Sequence, residues 1–324
     1  MRILPHRASE TKRSYMKKFW IPIIILLVCL LIAGTVWIVI DLTNQHRDES
    51  YAEEVRMLYR PEGTAALPLP SEETPLPSAP EAQQTAQGTE THTDGQPTPE
   101  PEEPGEEPLR MHPDFEKLYE INPHIIGWLT AGKDVDYPVV QYDNTYYLGH
   151  NFNREVDRNG TLFMNAANVL TPRDDVILIH GHHMESGVQF GRLQDFKSYA
   201  YLSEYPIVTF RTIYEDTAEL YVPFAAFDAS VDHEKKNYFD FLQLRFADDV
   251  EKTEGEARSS AAFRAYLDEL LSRSVWTSPV DVNESDAVLI LLTCSNGWEN
   301  SRFALCCRKL RDGETRETVQ AWFP

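Results

Sequence analysis

Apolar and polar positions divide the chain into four stretches. Phe19 to Ile40 is a run of 22 residues without a charge, broken only by Pro22 near its start. About 20 such residues cross a bilayer, so the run predicts a transmembrane helix. Asp41 to Arg60 is charged, with Val55, Leu58 and Tyr59 at helical spacing, which suits a continuation of that helix out of the membrane. Residues 61–109 hold no aromatic residue at all. From Met111 the pattern changes to short apolar runs separated by turns. Phe115–Ile121 has helical spacing, and strand-like runs follow at Ile125–Leu129, Tyr137–Gln141, Thr161–Asn165, Val176–Ile179, Ile207–Thr212, Glu219–Phe227, Val288–Leu292 and Phe303–Cys307. Asn159-Gly160 is a strong turn pair. Many short strands with turns between them predict a mainly β domain, a barrel or a sandwich. The rhythm breaks over residues 228–275. There Ser259-Ser260 can cap a helix whose Phe263, Tyr266, Leu267, Leu270 and Leu271 form one apolar stripe, expected to pack on the sheet. The tail after Leu310 is polar, and its Trp322-Phe323 is expected to tuck onto the domain.

Charge sharpens this division. Six Lys/Arg stand against one acid in residues 1–18, which predicts that this end stays in the cytoplasm and the rest lies outside. No convincing small-residue cleavage site precedes Asp41, so the run reads as an anchor rather than a signal peptide. Residues 61–109 carry eleven Asp/Glu, eleven of the 21 Pro and no Lys or Arg, about half of the net charge of −21. Such a composition cannot bury enough apolar surface to order itself, and like charge with Pro keeps it extended. At about 3 Å per residue it reaches on the order of 150 Å, and it reads as a spacer lifting the domain from the membrane. The expected organisation is therefore a basic segment at 1–18, a transmembrane helix at 19–40, a juxtamembrane segment and linker at 41–110, and a catalytic domain at 111–324. On this reading a chain begun at Met111 keeps its chemistry. The acidic balance argues against nucleic acid, whose affinity comes from Lys and Arg on phosphates.

Two apolar runs end in chemistry. Val288 to Leu292 leads into Thr293-Cys294 and a polar loop, and Arg302 opens the next run. A thiol at the end of a buried strand, facing a loop, is placed to be a nucleophile, with a guanidinium beside it. Equally, a free Cys is often one more small buried hydrophobe. Val176 to Ile179 leads into His180-Gly-His-His-Met184. A nucleophilic Cys needs a His close in space. On a strand His180 and His182 share a face and His183 opposes them. The four Cys (Cys29, Cys294, Cys306 and Cys307) suggest no disulfide framework, since Cys29 falls in the apolar helix and adjacent Cys306 and Cys307 point to opposite faces of a strand.

These motifs, in this order, resemble the sortases, and among them class B. The resemblance rests on the strand ending in Thr293-Cys294, on Arg302 eight residues later, and on the upstream strand ending in Gly181-His182-His183-Met184. It extends over nearly all of residues 112–310 through Asn122-Pro-His-Ile-Ile-Gly-Trp128, Asp136-Tyr-Pro-Val-Val-Gln141, Asp143-Asn-Thr-Tyr-Tyr-Leu148 and Gly160-Thr-Leu-Phe-Met-Asn165. It implies an eight-stranded barrel with peripheral helices and a cysteine transpeptidase that needs no cofactor and no metal. By position, Cys294 would be the nucleophile, His182 the general acid/base and Arg302 the group that stabilises the oxyanion. Asn144, Leu148, Tyr238, Phe239 and Thr293 would meet the substrate. The implied partners are secreted proteins with a C-terminal sorting signal, and an amine acceptor on a cell-wall cross-bridge or a pilin. Leu292 and Ser295 stand where the family often has a serine and an acidic residue.

Two other readings compete. His180, His182 and His183 resemble a zinc-binding cluster, but Met184-Glu185 and the lone downstream His233 do not complete the dinuclear hydrolase pattern. A surface binding domain on an inactive sortase fold is the other, and the intact Cys, His and Arg speak against it.

Overall fold

Closure of the sheet explains why some apolar runs alternate and others do not. The computed structural model describes residues 8–59, 109–246, 260–294 and 300–323. Its strands are β1 (Ile125–Ala131), β2 (Val135–Val140), β3 (Leu162–Met164), β4 (Val176–Gly181), β5 (Val208–Thr212), β6 (Glu219–Ser230), β7 (Val288–Cys294) and β8 (Ser301–Lys309). They form one closed barrel in the order β1-β2-β3-β4-β7-β8-β6-β5, with β5 pairing back onto β1. The eight runs read from the pattern are these eight strands, their ends moved by a few residues. Between barrel and sandwich, the structure takes the barrel.

β2/β3 and β4/β7 are the parallel pairs. Val176–Ile179 of β4 and Val288–Leu291 of β7 are fully buried. A strand covered on both faces has no wet side to alternate with, so these two read as continuous apolar runs. The bulge between Pro223 and Ala225 in β6 falls where Pro cannot donate to the ladder with β8.

Helices cover the outside: α1 (Ala8–Tyr59), α2 (Glu116–Ile121), α3 (Tyr199–Glu204), α4 (Ser260–Arg273) and α5 (Arg316–Trp322). α4 lies on β6 with Phe263, Tyr266, Leu267 and Leu270 buried and Leu271 partly so, the expected stripe. The polar tail proves to be helical. Thr315 and Thr318 form a reciprocal cap at the start of α5, and Val319 and Phe323 are buried behind it. Trp322 covers the guanidinium of fully buried Arg308, which Glu314 holds through both oxygens at 2.5 and 2.7 Å.

α1 runs unbroken through the expected span and on to Tyr59, and it carries a strongly apolar stretch, none of it buried. By length and composition it is a candidate membrane helix. Residues 1–7 of the basic segment and almost all of the expected linker, residues 60–108, lie outside the described residues, as do Ser259 and Ser295.

Candidate active site

Register brings the three motif residues together. β4 and β7 run parallel with His180 opposite Leu292 and Gly181 opposite Thr293. One residue further along both chains come His182 and Cys294. β7 and β8 run antiparallel, and there the partner of Cys294 is Arg302. The backbones of His182, Cys294 and Arg302 therefore stand side by side at one end of the barrel, although 112 positions separate the first from the second.

The His182 imidazole is held from two sides. Its Nε2 lies 2.7 Å from the carbonyl oxygen of Leu148, an acceptor only, so Nε2 carries the hydrogen and donates it. Gly160, at φ +61°, packs against the ring: a Cβ there would stand 3.1 Å from Cδ2 of His182 and 2.4 Å from the Tyr147 carbonyl oxygen. This is the physical need behind the Asn159-Gly160 turn. Gly181 before the histidine is equally constrained, since a Cβ would meet Leu162 at 2.3 Å and Phe190 at 2.6 Å. The loop that supplies Leu148 is built by Asp143. Its Oδ1 accepts the backbone N–H groups of Thr145 and Tyr146, which starts the short 3-10 turn Tyr146–Leu148 and holds the carboxylate below its usual range.

A groove of about 350 Å³ opens in front of this row. His182 and Arg302 line it, and so do all five residues expected to meet the substrate: Asn144, Leu148, Tyr238, Phe239 and Thr293. Their environments differ. Asn144 is exposed, and its Oδ1 accepts the N–H of Ala166, leaving the amide nitrogen as the donor end. Leu148 is 42% exposed, an apolar side chain standing open to the groove. Phe239 is mostly core, packed edge-on to Phe241 and Phe227. Thr293 is buried, and its hydroxyl has no protein partner among the described residues.

The chain matches two curated relatives. It is 28% identical to sortase B of Staphylococcus aureus over 193 residues, 59% of this chain and 71% of that protein. It is 29% identical to sortase B of Listeria monocytogenes over 195 residues, 58% and 70% of the two chains. A crystal structure of sortase B complexed with triglycine superposes with a TM-score of 0.52 at 25% identity, covering 62% of this chain and 87% of that one. The chain is similar to class B sortases over about 60% of its length. No family model matches it.

In this chain the histidines divide in a way that the sequence only half revealed. His180 and His182 both line the groove, whereas His183 bridges to Gln189 and is not among the lining residues. Among the described residues no group of three or more His, Cys, Asp or Glu is arranged to hold a metal. His180, read from sequence only as a strand-face neighbour or zinc ligand, is a groove residue of its own. Asn165 Oδ1 accepts from Ala167 N–H, so its Nδ2 faces His180 and donates to Nε2 at 3.2 Å. The proton of the neutral ring is therefore on Nδ1. Phe163 stacks on the other side at 5.0 Å. Asp240, Phe241 and Leu242 also line the groove, a continuation of Tyr238-Phe239 that the short motif did not cover.

Burial, and then the charge of Arg302, push His180 down from 6.5 to about 4. As pH falls, the unfolded chain takes up this proton first. The contribution to stability is therefore complete above about pH 6.5, is lost as pH falls toward 4, and levels off below that. His180→Phe is expected to remove that slope, a difference on the order of 2 kcal/mol between pH 7 and pH 4. Urea unfolding of both proteins across this range measures it. Parallel curves would show that His180 titrates normally.

Proposed function

We propose that this chain is a membrane-anchored transpeptidase that cleaves a sorting-signal peptide and joins its acyl part to an amine. What carries the proposal is the backbone row of Cys294, His182 and Arg302, two of which, His182 and Arg302, line the groove. The Cys294 thiolate attacks the scissile carbonyl carbon, and the C–N bond breaks as the departing amine takes a proton from His182. Arg302 faces the negative charge that develops on the carbonyl oxygen, charge that exists only around the transition state. The product of this half is a thioester on Cys294. An incoming amine then attacks, gives its proton to His182, forms the new amide and releases the thiolate. The sortase B captured with triglycine supports a peptide amine as acceptor. The partners on this reading are secreted proteins with a C-terminal signal and a cell-wall or pilin amine.

The groove suits a peptide with both apolar and hydrogen-bonding side chains, since Leu148 and Leu242 flank it while Asn144, His180 and Arg302 supply polar atoms. Leu292, buried at the groove wall where the family often has serine, makes that part of the groove apolar. The topology we assign is a single span with residues 1–18 inside and the barrel outside.

The test is incubation with a library of Asn-Pro-x-Thr-like pentapeptides, with and without a triglycine amine, followed by mass spectrometry. The expected result is an acyl adduct on the Cys294 peptide that the amine converts to a new amide. Cleavage without an adduct, abolished by EDTA and restored by zinc, would return the metal reading. No turnover of any peptide would leave the inactive binding domain.

A further inference from the structure

The helix that carries the apolar stretch does not end at the membrane. Asp48, Ala52, Val55 and Tyr59 recur at spacings of four, three and four, the repeat of one helix face. All four are buried, at 6, 7, 4 and 5% exposure, while Glu53 and Glu54 beside them are exposed. What buries them is the barrel. Tyr59 stacks on Trp128 of β1 with ring centres 4.3 Å apart, and its hydroxyl accepts from buried Arg211 at 3.2 Å. Arg56 donates to the carbonyl oxygen of Asp136 in β2 at 3.0 Å. A stacked aromatic pair and a buried guanidinium are the marks of a packed seam, not of a chain passing by.

The chain also returns to the place it left. His112 N–H donates to the Ile213 carbonyl at 2.7 Å, and the Phe115 ring lies 5.1 Å from that of Tyr59. The 49 residues of 60–108 therefore join two neighbouring points on one barrel surface. A segment whose two ends are pinned together cannot separate the barrel from the bilayer, whatever its length.

We infer that the last turns of α1 are a docking element that holds the barrel at a fixed, short height above the membrane. The helix from Ile40 to Asp48 rises about 12 Å, against the order of 150 Å that an extended segment would allow. The inference rests on α1 being the membrane span. Its consequence is that the groove works only in a thin layer next to the bilayer.

The experiment uses the full chain in lipid nanodiscs and two readouts that do not depend on activity. Val55→Cys and Glu54→Cys are labelled with a maleimide, and each site is followed by mass spectrometry of its own peptide. The Val55→Cys site is expected to react at least about tenfold more slowly, because labelling must wait for local opening of the seam. Separately, residues 61–107 are replaced by about 15 Gly/Ser residues, a flexible and much shorter connection. Energy transfer from a dye on the barrel to a headgroup acceptor then reports the height, which is expected to stay the same. Equal labelling at the two sites, or a height that falls with segment length, overturns the docking. Loss of peptide turnover with both readouts as expected counts against the transpeptidase instead.

Discussion

Cys294→Ala is expected to reduce peptide cleavage to background while the thermal unfolding curve stays within a few degrees of the parent. The reason is the environment of the other thiols. Cys306 and Cys307 sit on β8 and are fully buried on its two faces, and burial drives both thiols far above their ordinary range. Neither offers a thiolate or a path for a peptide. Cys29 stands in the apolar stretch of α1. Cys294 is the last residue of β7, with Arg302 as its cross-strand partner and its neighbour Thr293 lining the groove. Cys306→Ala and Cys307→Ala should instead keep activity and lose on the order of 1 kcal/mol of stability through small cavities. Cleavage is measured by chromatography of a cognate sorting peptide, and stability by thermal unfolding. A Cys294→Ala protein that still releases the C-terminal fragment would sink the thiol mechanism.

His182→Ala should lower the rate of thioester formation by about a hundred- to ten-thousand-fold, the usual worth of a general acid. His183→Ala should cost only the few-fold of a packing change. The difference follows from where each ring lies. His182 lines the groove, donates from Nε2 to Leu148 and is backed by Gly160. The His183 backbone pairs with that of Gln189, and its ring Nδ1 is buried without a protein partner among the described residues. Arg302→Lys belongs to the same experiment and should also be poor, because a single ammonium cannot reproduce the guanidinium fork. Acyl-enzyme yield after a fixed short time, read by intact mass, separates the variants. A silent His183→Ala beside an active His182→Ala would shift the assignment by one residue along the strand.

Much of this site was legible because its parts are local. The runs Val176–Ile179 and Val288–Leu292 each lead into a residue proposed to react, and no folding is needed to see that a buried strand delivers a side chain to its end. Glycines were readable in kind: Gly160 and Gly181 stood at a turn and before a histidine. The structure supplies the reason for each, the Tyr147 carbonyl and His182 ring for one and Leu162 with Phe190 for the other. In the polar tail Trp322-Phe323 do tuck onto the domain as read, but the helix went unread because α5 is seven residues long and its apolar face is only Val319 and Trp322-Phe323. Too few positions repeat there to register as a helical period.

The division between chain and fold is clearest at three places. Sequence alone determined the eight strands, the apolar span and the residue types of the chemistry, since each is written in neighbours a few positions apart. Only the tertiary structure decided that β4 and β7 are adjacent and parallel, because their pairing joins segments more than 100 residues apart and no local pattern encodes register across such a gap. It also decided which histidines face the groove and why His180 stays neutral, through Phe163 and Asn165 at β3 and Arg302 on β8. The same is true of α1. Asp48, Ala52, Val55 and Tyr59 form a stripe too short and too mixed to be read as a buried face, because one member is charged and another is alanine. The barrel surface that buries it, Trp128, Asp136 and Arg211, lies on strands far along the chain.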